Sequence, residues 1–225
     1  MSLSHSPLIV RDGLVLCLDA ANPRSYPKSG TTWSDLKGSN DGTLTNMDAA
    51  NFNQDDKGSL SFDGSNESVN LNTSPQDLVG QGSATTISSW FNINHTNQYS
   101  MMIGNGTTDR YYINTQNIGG SLVAHWGFGS SQNSSTSQAF VSTDTWYHYT
   151  ATYDQSVAKA YLNGVNTDSD TIGGSKTYGG ALYVGSWGTN GLWWGGKIAM
   201  VSIYNRALSA DEIRQNYEAT VGRYS

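Results

Sequence analysis

The stretch WGTNGLWWGGKIAMVSIYNRALSADEIRQNY, residues 187 to 217, carries the strongest structural signals of this sequence. Between Lys197 and Tyr204 both alternating sets of side chains are mostly apolar, which predicts a strand that is covered on both faces. Ser209 and Glu212 then have the spacing of a capping box, which predicts that a short helix begins there. The stretch therefore indicates an inner strand of a β-sandwich, followed by one C-terminal helix.

The rest of the sequence is also typical of an all-β protein. About a dozen short strand patterns are joined by turns rich in Gly, Asn, Asp and Ser. Asn163-Gly164 lies between two of these patterns and predicts a type I′ hairpin. Because no fixed-period repeat and no change in composition divides the 225 residues, we expect an N-terminal arm at 1–12 and a single domain at 13–225.

Composition argues against several classes of function. Twelve basic and 18 acidic residues give a net charge of −6, and the basic residues form no cluster, so nucleic acid is not expected as a partner. No apolar run approaches the length that spans a membrane, and no secretion signal is recognisable, so membrane insertion is not expected. The single cysteine, Cys17, stands in an apolar run and is expected to be buried.

Several segments resemble, in the same order, the laminin-G-like domains of the concanavalin A-like lectin/glucanase superfamily. The resemblance extends over about residues 13 to 218 and implies a jelly roll of two antiparallel sheets. The closing stretch from Ile198 to Ile213 is the most specific part. The other matching segments are GTLTN at 42–46, LSFDG at 60–64, TISSW at 86–90, WYHYTATYD at 146–154 and YLNGV at 161–165.

The opening segment, from Asp12 to Pro27, is similar to family members found in structural proteins of tailed bacteriophages. This similarity implies a virion surface protein, in capsid decoration or in the tail, that contacts other virion subunits and has a possible glycan-binding face. The alternative is a freestanding carbohydrate-binding module or a host-recognition adhesin that binds cell-surface glycans. An enzyme that degrades polysaccharides is the third hypothesis.

The sequence does not favour catalysis. Glucanases of the superfamily carry two carboxylates in an E-x-D-x-x-E run along one strand, and this sequence contains neither that run nor a G-x-S-x-G nucleophile motif. His125 and His148 lie within strand patterns and are expected to be structural, although His125, beside Trp126, could line a groove. We therefore expect a protein without catalytic residues.

Calcium is the one cofactor that the resemblance suggests, since relatives often hold one calcium ion. Asp63 and Glu67, with carbonyl groups of the Gly-rich turn between them, could supply oxygen ligands. Two positions depart from the family pattern: Ala199 replaces the usual Asp of the closing strand, and Glu67 stands near the place of another. The alternative is that Asp63 and Asn66 only cap their own turn.

Aromatic and amide side chains are the candidates for ligand binding. Sugar rings present apolar C–H faces, so lectin-type grooves combine exposed Trp or Tyr with polar Asn or Asp. Adjacent strand residues point to opposite faces, so at most one of Trp193 and Trp194 can lie in the core if the segment is extended. The same aromatic residues could instead form core or an interface with a neighbouring subunit. The candidates are Tyr111, Tyr112, Trp126, Trp187, Trp193 and Trp194, with Asn114 and Asn190 as polar neighbours.

Overall fold

A computed structural model describes residues 7–55, 57–97, 99–129, 139–173, 176–188 and 191–225. These residues form sixteen strands, two α-helices and two single 3₁₀ turns at Ala49–Asn51 and Val221–Arg223. The helices are α1 (Pro75–Val79) and α2 (Ala210–Thr220). The strands are β1 (Leu14–Asp19), β2 (Thr32–Trp33), β3 (Gly42–Thr45), β4 (Phe52–Asn53), β5 (Ser59–Asp63), β6 (Ser68–Asn70), β7 (Thr85–Ile93), β8 (Tyr99–Gly104), β9 (Arg110–Ile118), β10 (Ser121–Gly129), β11 (Ala139–Phe140), β12 (Trp146–Tyr153), β13 (Val157–Leu162), β14 (Val165–Thr171), β15 (Tyr183–Val184) and β16 (Gly195–Tyr204).

The strands form two antiparallel sheets of eight strands each. The first sheet has the order β14-β13-β12-β7-β16-β5-β4, with β1 also paired to β16. The second sheet has the order β11-β10-β9-β8-β15-β6-β3-β2. Two antiparallel sheets and one C-terminal helix confirm the predicted all-β sandwich, and the short α1 is an addition that the sequence patterns did not indicate.

The inner strand predicted from the closing stretch is β16. It lies in the middle of the first sheet, between β7 on one side and β5 and β1 on the other. All its residues are buried except Lys197, which is partly exposed. Its inward side chains, such as Ile198 and Val201, join the core between the sheets, whereas Met200 and Tyr204 pack on the outer face of the first sheet. The prediction of burial on both faces is confirmed.

The predicted hairpin and helix cap are also present. Asn163 and Gly164 both have positive φ, 52° and 78°, as a type I′ turn requires, and they join β13 to β14. The Ser209 hydroxyl accepts a hydrogen bond from the Glu212 amide, and the Glu212 carboxylate accepts one from the Ser209 amide. Arg206 also donates two hydrogen bonds to Glu212, which lowers the pKa of that carboxyl to about 2.

Helix α2 covers the outer face of the first sheet. Under it Trp90 stacks on Tyr224 with 3.9 Å between ring centroids, and its indole N–H donates to Thr220. Cys17 is buried in this second apolar cluster, as expected, and burial raises its thiol pKa to about 12. Neither helix of the described residues has the length and apolar character needed to cross a membrane.

Candidate functional site

The outer face of the second sheet carries an open cavity of about 330 Å³, which we call the outer groove. Strands β8, β9 and β10 form its floor, and the connection between β15 and β16 forms one wall. Most of the floor residues are aromatic or amide side chains. The residues that line it are Tyr99, Met101, Arg110, Tyr112, Asn114, Gln116, His125, Trp187 and Leu192.

Strand β9 supplies the floor through its simple two-residue period. Arg110, Tyr112, Asn114 and Gln116 all line the groove, so every second residue of the strand faces outward. The residues between them face the other way, and Tyr111, for example, belongs to the core between the sheets. Alternation along this one strand therefore places half of its side chains in the groove and the other half in the core.

Two glycines let the aromatic rings lie close to the sheet. Gly127 is paired with Tyr112 across β9 and β10, and a Cβ atom at position 127 would lie 2.5 Å from the Tyr112 ring. A Cβ atom at Gly104 would similarly lie 2.9 Å from the ring of Trp187. Tyr112 meets Trp187 edge to face at 5.4 Å, and its ring lies parallel to that of His125 at 6.2 Å. The result is a row of three rings that runs from the groove floor to its wall.

Backbone hydrogen bonds hold the wall in place. The Met101 amide in β8 donates to the Leu192 carbonyl at 3.0 Å, and the Trp187 amide donates to the Gly191 carbonyl at 3.0 Å. Leu192 itself has a positive φ of 54°, which is uncommon for a residue other than glycine. Its side chain is 40% exposed. These contacts fix Trp187 next to the floor and leave an apolar side chain at the rim.

The main polar group on the floor is Asn114. Its side chain is 2% exposed, and its Oδ1 atom accepts no hydrogen bond from any residue that the structure describes. Nearby, the Gln116 side-chain amide donates to the Tyr99 hydroxyl at 3.1 Å. A buried acceptor without a partner costs free energy of folding, about 1–3 kcal/mol. Asn114 therefore offers a hydrogen-bond acceptor to a ligand hydroxyl or amine.

The charge in the groove comes from Arg110. Its guanidinium carbon lies 5.9 Å from the centroid of the Tyr112 ring. Burial raises the pKa of the Tyr112 hydroxyl, and the positive charge of Arg110 opposes that rise. The net shift is upward, so Tyr112 stays neutral at physiological pH and can donate or accept a hydrogen bond.

Three of the eight predicted ligand-binding residues line the outer groove, namely Tyr112, Asn114 and Trp187. Trp193 is partly exposed but does not belong to this lining. Asn190 lies outside the described residues. Since Trp194 is fully buried and Trp193 is not, the prediction that at most one of this pair lies in the core is confirmed.

The other three predicted residues, Tyr111, Trp126 and Trp194, belong to the core. Each is 0% exposed, so no ligand can stack on them, and their assignment to a groove is corrected. The Tyr111 hydroxyl is 2.8 Å from the Thr85 hydroxyl, and the Trp126 indole donates to Asp168. The physical reason is the strand period, which turns Tyr111 and Trp126 inward where Tyr112 and His125 point outward.

Sequence reasoning did not identify five groove residues. A signal was present for two of them, because Arg110 and Gln116 stand two residues before Tyr112 and two residues after Asn114 on the same strand. No local pattern indicates the others, since they reach the groove through the pairing of β8 with β9 and through a non-repetitive connection. The five residues are Tyr99, Met101, Arg110, Gln116 and Leu192.

The predicted calcium ligands lie in the turn between β5 and β6. Asp63 accepts hydrogen bonds from the amides of Ser65 and Asn66, and Glu67 accepts them from the Asp63 amide and the Asn51 side chain. These contacts match the turn-capping alternative. Within the described part of the chain, no group of three or more His, Cys, Asp or Glu side chains is placed to hold a metal ion.

A Ser–His pair lies on the opposite side of the molecule. His148 Nε2 is 2.8 Å from the Ser88 hydroxyl, and Thr150 donates to that hydroxyl. Burial lowers the pKa of His148 to about 3, so the ring is neutral at physiological pH. Its Nδ1 atom has no partner among the described residues, and the cavity beside it measures about 10 Å³. Among the described residues no carboxylate orients this pair, and the cavity beside it has no room for a substrate.

The sequence matches a known protein family. A laminin-G family model, described as concanavalin A-like lectin/glucanases superfamily, matches residues 62–214, which is more than half of the chain. The matched part includes the whole groove and the strands beneath it. No curated protein matches the sequence.

Solved structures share the fold at low sequence identity. The sialidase of Trypanosoma rangeli in complex with sialic acid aligns with a TM-score of 0.69 and 15% identity, over 99% of this chain and 37% of that chain. This chain therefore spans only about a third of the sialidase. Domain 4 of AbnA, an extracellular arabinanase from Geobacillus stearothermophilus, in complex with arabinotriose, aligns with a TM-score of 0.61 and 16% identity, over 92% of this chain and 100% of that chain.

Proposed function

We propose that this chain, which belongs to the concanavalin A-like lectin/glucanases superfamily, binds a glycan in the outer groove and catalyses no reaction on it. The observation that carries this proposal is the buried Asn114 acceptor, which has no partner among the described residues and lines the same groove as the Tyr112 and Trp187 rings. A saccharide offers both complementary groups, hydroxyl donors and apolar C–H faces. Aromatic faces carry partial negative charge and attract such C–H groups.

The size and composition of the groove support the same function. A cavity of about 330 Å³ lies at the lower end of the range for small-molecule sites, roughly 300–1,000 Å³, so it suits one or two sugar rings. The structural relative solved with arabinotriose has the same fold over its full length. Fold likeness alone does not place a ligand, so the proposal depends on the groove residues themselves.

The absence of carboxylates supports a binding function over hydrolysis. Glycosidases need two carboxyl groups on either side of the scissile bond, and the described residues that line the groove include neither Asp nor Glu. The sialidase relatives are much longer chains, so their activity cannot be carried over from the shared fold. A reducing-sugar assay on mixed polysaccharides tests this part, and reproducible sugar release would contradict it.

A glycan array with the purified protein tests the binding proposal. We expect specific hits with the wild-type protein, and loss of those hits in Trp187→Ala. Trp193→Ala is the matched control, because Trp193 is a partly exposed tryptophan of the same connection but does not line the groove. A blank array, or an equal loss of binding in both variants, would contradict a glycan site in the outer groove.

Calcium binding by Asp63 and Glu67 stays a prediction, which the same array can address if it is run with calcium and with a chelator. If calcium binds the folded state, added calcium raises the melting temperature and a chelator lowers it. The substitution Glu67→Gln should then remove the shift. Unchanged melting temperatures would leave the two carboxylates as turn caps only.

The virion location is a finer proposal that rests on the similarity of the opening segment, Asp12 to Pro27. In such a particle the outer groove would serve as a glycan-binding face, and other virion subunits would hold the protein. Mass spectrometry of purified particles tests this location. Absence of the chain from particles would favour the freestanding module or adhesin, which uses the same groove.

A further inference from the structure

Arg110 holds the only formal charge on the lining of the outer groove at neutral pH among the described residues, apart from any charge on His125. It is partly exposed, at the first position of β9, with its guanidinium carbon 5.9 Å from the Tyr112 ring centroid. No ion pair joins it to the preceding Asp109 or to another carboxylate that the structure describes. A hydrogen bond to the Tyr112 hydroxyl engages part of the guanidinium, and its remaining donors have no carboxylate partner among the described residues.

Three of the other five arginines pair with carboxylates, whereas Arg11 and Arg24, which are exposed, have no such partner among the described residues. Arg206 pairs with Asp12 and Glu212, Arg214 pairs with Asp211, and Arg223 pairs with Asp19. The chain has an excess of acidic residues, with a net charge of −6. A guanidinium that stays without a carboxylate in such a protein, inside a groove with no acidic lining residue, marks a place where an anionic ligand group can complete the pairing.

We propose that the outer groove prefers a carboxylate-bearing sugar, either a uronic acid or a sialic acid, with Arg110 as the residue that determines this preference. This inference rests on the glycan-binding function proposed above. The planar guanidinium can donate two parallel hydrogen bonds to a carboxylate, a geometry that a neutral hydroxyl does not match. Asn114 then accepts from a ring hydroxyl, and the Tyr112 and Trp187 rings provide the apolar contact.

The competing explanation is that Arg110 only supports Tyr112, through its cation–π contact with the ring and its hydrogen bond to the hydroxyl. The two explanations differ in what they predict for ligand charge. If Arg110 pairs with a carboxylate, removal of its charge weakens binding of acidic sugars alone. If Arg110 only positions Tyr112, its removal weakens binding of acidic and neutral sugars by the same factor.

Isothermal titration calorimetry with two matched ligand pairs separates these cases. The first pair is trigalacturonic acid and its methyl ester, and the second is sialyllactose and lactose. The variants are Arg110→Gln, which removes the charge, Arg110→Lys, which keeps the charge without the planar fork, and Arg24→Gln. Arg24 is exposed and outside the groove, so its variant controls for the change in net charge.

We expect the acidic member of one pair to bind the wild-type protein more tightly than its neutral partner. Arg110→Gln should weaken that binding about tenfold to a hundredfold, as expected for loss of a charge-assisted hydrogen bond, while Arg110→Lys keeps part of it and Arg24→Gln keeps all of it. The pair that responds identifies the uronic or the sialic source. The melting temperature of each variant shows that the fold is intact.

Two results would overturn the inference in distinguishable ways. If the array finds neutral glycans and Arg110→Gln leaves acidic and neutral ligands at the same relative affinity, the carboxylate preference is wrong but the glycan-binding function stands. If neither the array nor the four probe sugars give binding, the proposed function and this inference both fail.

Discussion

The two outer faces of the sandwich differ in how they are covered. On the first sheet, α2, the C-terminal residues and the N-terminal segment close the face, and a cavity of only about 10 Å³ remains. On the second sheet, β8 to β10 are bordered by the connection that carries Trp187, and a cavity of about 330 Å³ stays open. Both faces carry aromatic and polar side chains that are nearly buried, so burial alone does not distinguish them.

The difference lies in access and in the partners of the polar groups. Beneath α2, the Asn216 side chain accepts from the Val10 amide and donates to the Tyr204 hydroxyl. His148 Nδ1 lacks a partner there, but the space beside it is at the lower limit for a single water molecule, roughly 10–15 Å³. Asn114 Oδ1 also lacks a partner among the described residues, and Asn114 lines a cavity of ligand size. A partly satisfied polar group points to a ligand only where a ligand can reach it.

The largest expected effect tests whether the aromatic residues of the two faces play different parts. Trp90→Ala should lower the free energy of unfolding by about 3–5 kcal/mol, as is usual for a buried tryptophan, because it stacks on Tyr224 and donates to Thr220. Trp187→Ala should cost only about 1 kcal/mol, since its ring is partly exposed at the groove. Urea denaturation measures both, and equal losses would remove the distinction.

The second effect concerns pH and the covered face. The pKa of His148 is lowered from 6.5 to about 3 by burial, so the unfolded chain binds a proton at this residue between those pH values and the folded chain does not. Stability is therefore fully present above about pH 6.5 and falls as the pH drops, by at most about 1.4 kcal/mol per unit. The pKa of Glu212 in the folded protein is about 2, so its contribution to stability is lost only as the pH falls below its ordinary pKa of 4.5.

Denaturation curves between about pH 6.5 and pH 4.5 isolate the histidine contribution. In this window His148→Gln should reduce the slope of stability against pH, whatever its effect on absolute stability. His95→Gln is the comparison variant: burial also lowers the pKa of His95, so its substitution should reduce the slope too, but this residue lies near Ser100, outside the covered face. An unchanged slope in His148→Gln would show that the covered face admits a proton.

The third effect is smaller and concerns the floor of the open face. Gly127→Ala places a methyl group 2.5 Å from the Tyr112 ring, and displacement of that ring should cost about 1 kcal/mol, at the low end for overpacking. We expect a larger effect on function, with glycan binding weakened about tenfold. Gly173→Ala is the control, since its added Cβ atom meets no described residue within 4 Å. Binding that is the same in both variants would show that Tyr112 is not needed in its observed position.

Much of the fold could be predicted from local patterns. The alternation in Lys197 to Tyr204, the Asn163-Gly164 turn and the Ser209–Glu212 capping box each depend on neighbours in sequence, and each is present in the structure. Interactions between residues that are close in sequence determine these features, so they can be predicted from a single sequence. The resemblance in the closing stretch added the sandwich topology, which local patterns alone do not give.

The site was only partly predictable because it depends on which face each strand presents. Tyr111 and Tyr112 are the same residue type at adjacent positions, and only the pairing of β9 with its neighbours decides that Tyr111 points inward. Trp187 and Leu192 reach the groove through a connection without a repeating pattern. A one-residue error in register exchanges the two faces of a strand, which is the kind of uncertainty that placed Trp126 rather than His125 among the ligand candidates.

The last comparison makes the same substitution on the two faces, and its Asn114 variant has the smallest expected effect on stability. Asn216→Leu breaks two buried hydrogen bonds beneath α2 and should cost about 1–3 kcal/mol, because the Val10 amide and the Tyr204 hydroxyl lose their partner. Asn114→Leu removes an acceptor that has no partner among the described residues. Its free energy of unfolding should stay unchanged or rise by up to about 1 kcal/mol.

Glycan binding should respond in the reverse order, with a loss of about tenfold in Asn114→Leu, the value for one hydrogen bond, and none in Asn216→Leu. Urea denaturation and calorimetric titration of an array hit measure the two quantities on the same samples. If Asn114→Leu is as destabilising as Asn216→Leu, then Asn114 already has a partner within the folded protein. Asn114 on the open face would then have its hydrogen-bond partner without a ligand, as Asn216 on the covered face does. The argument for a glycan in the outer groove would lose its main support.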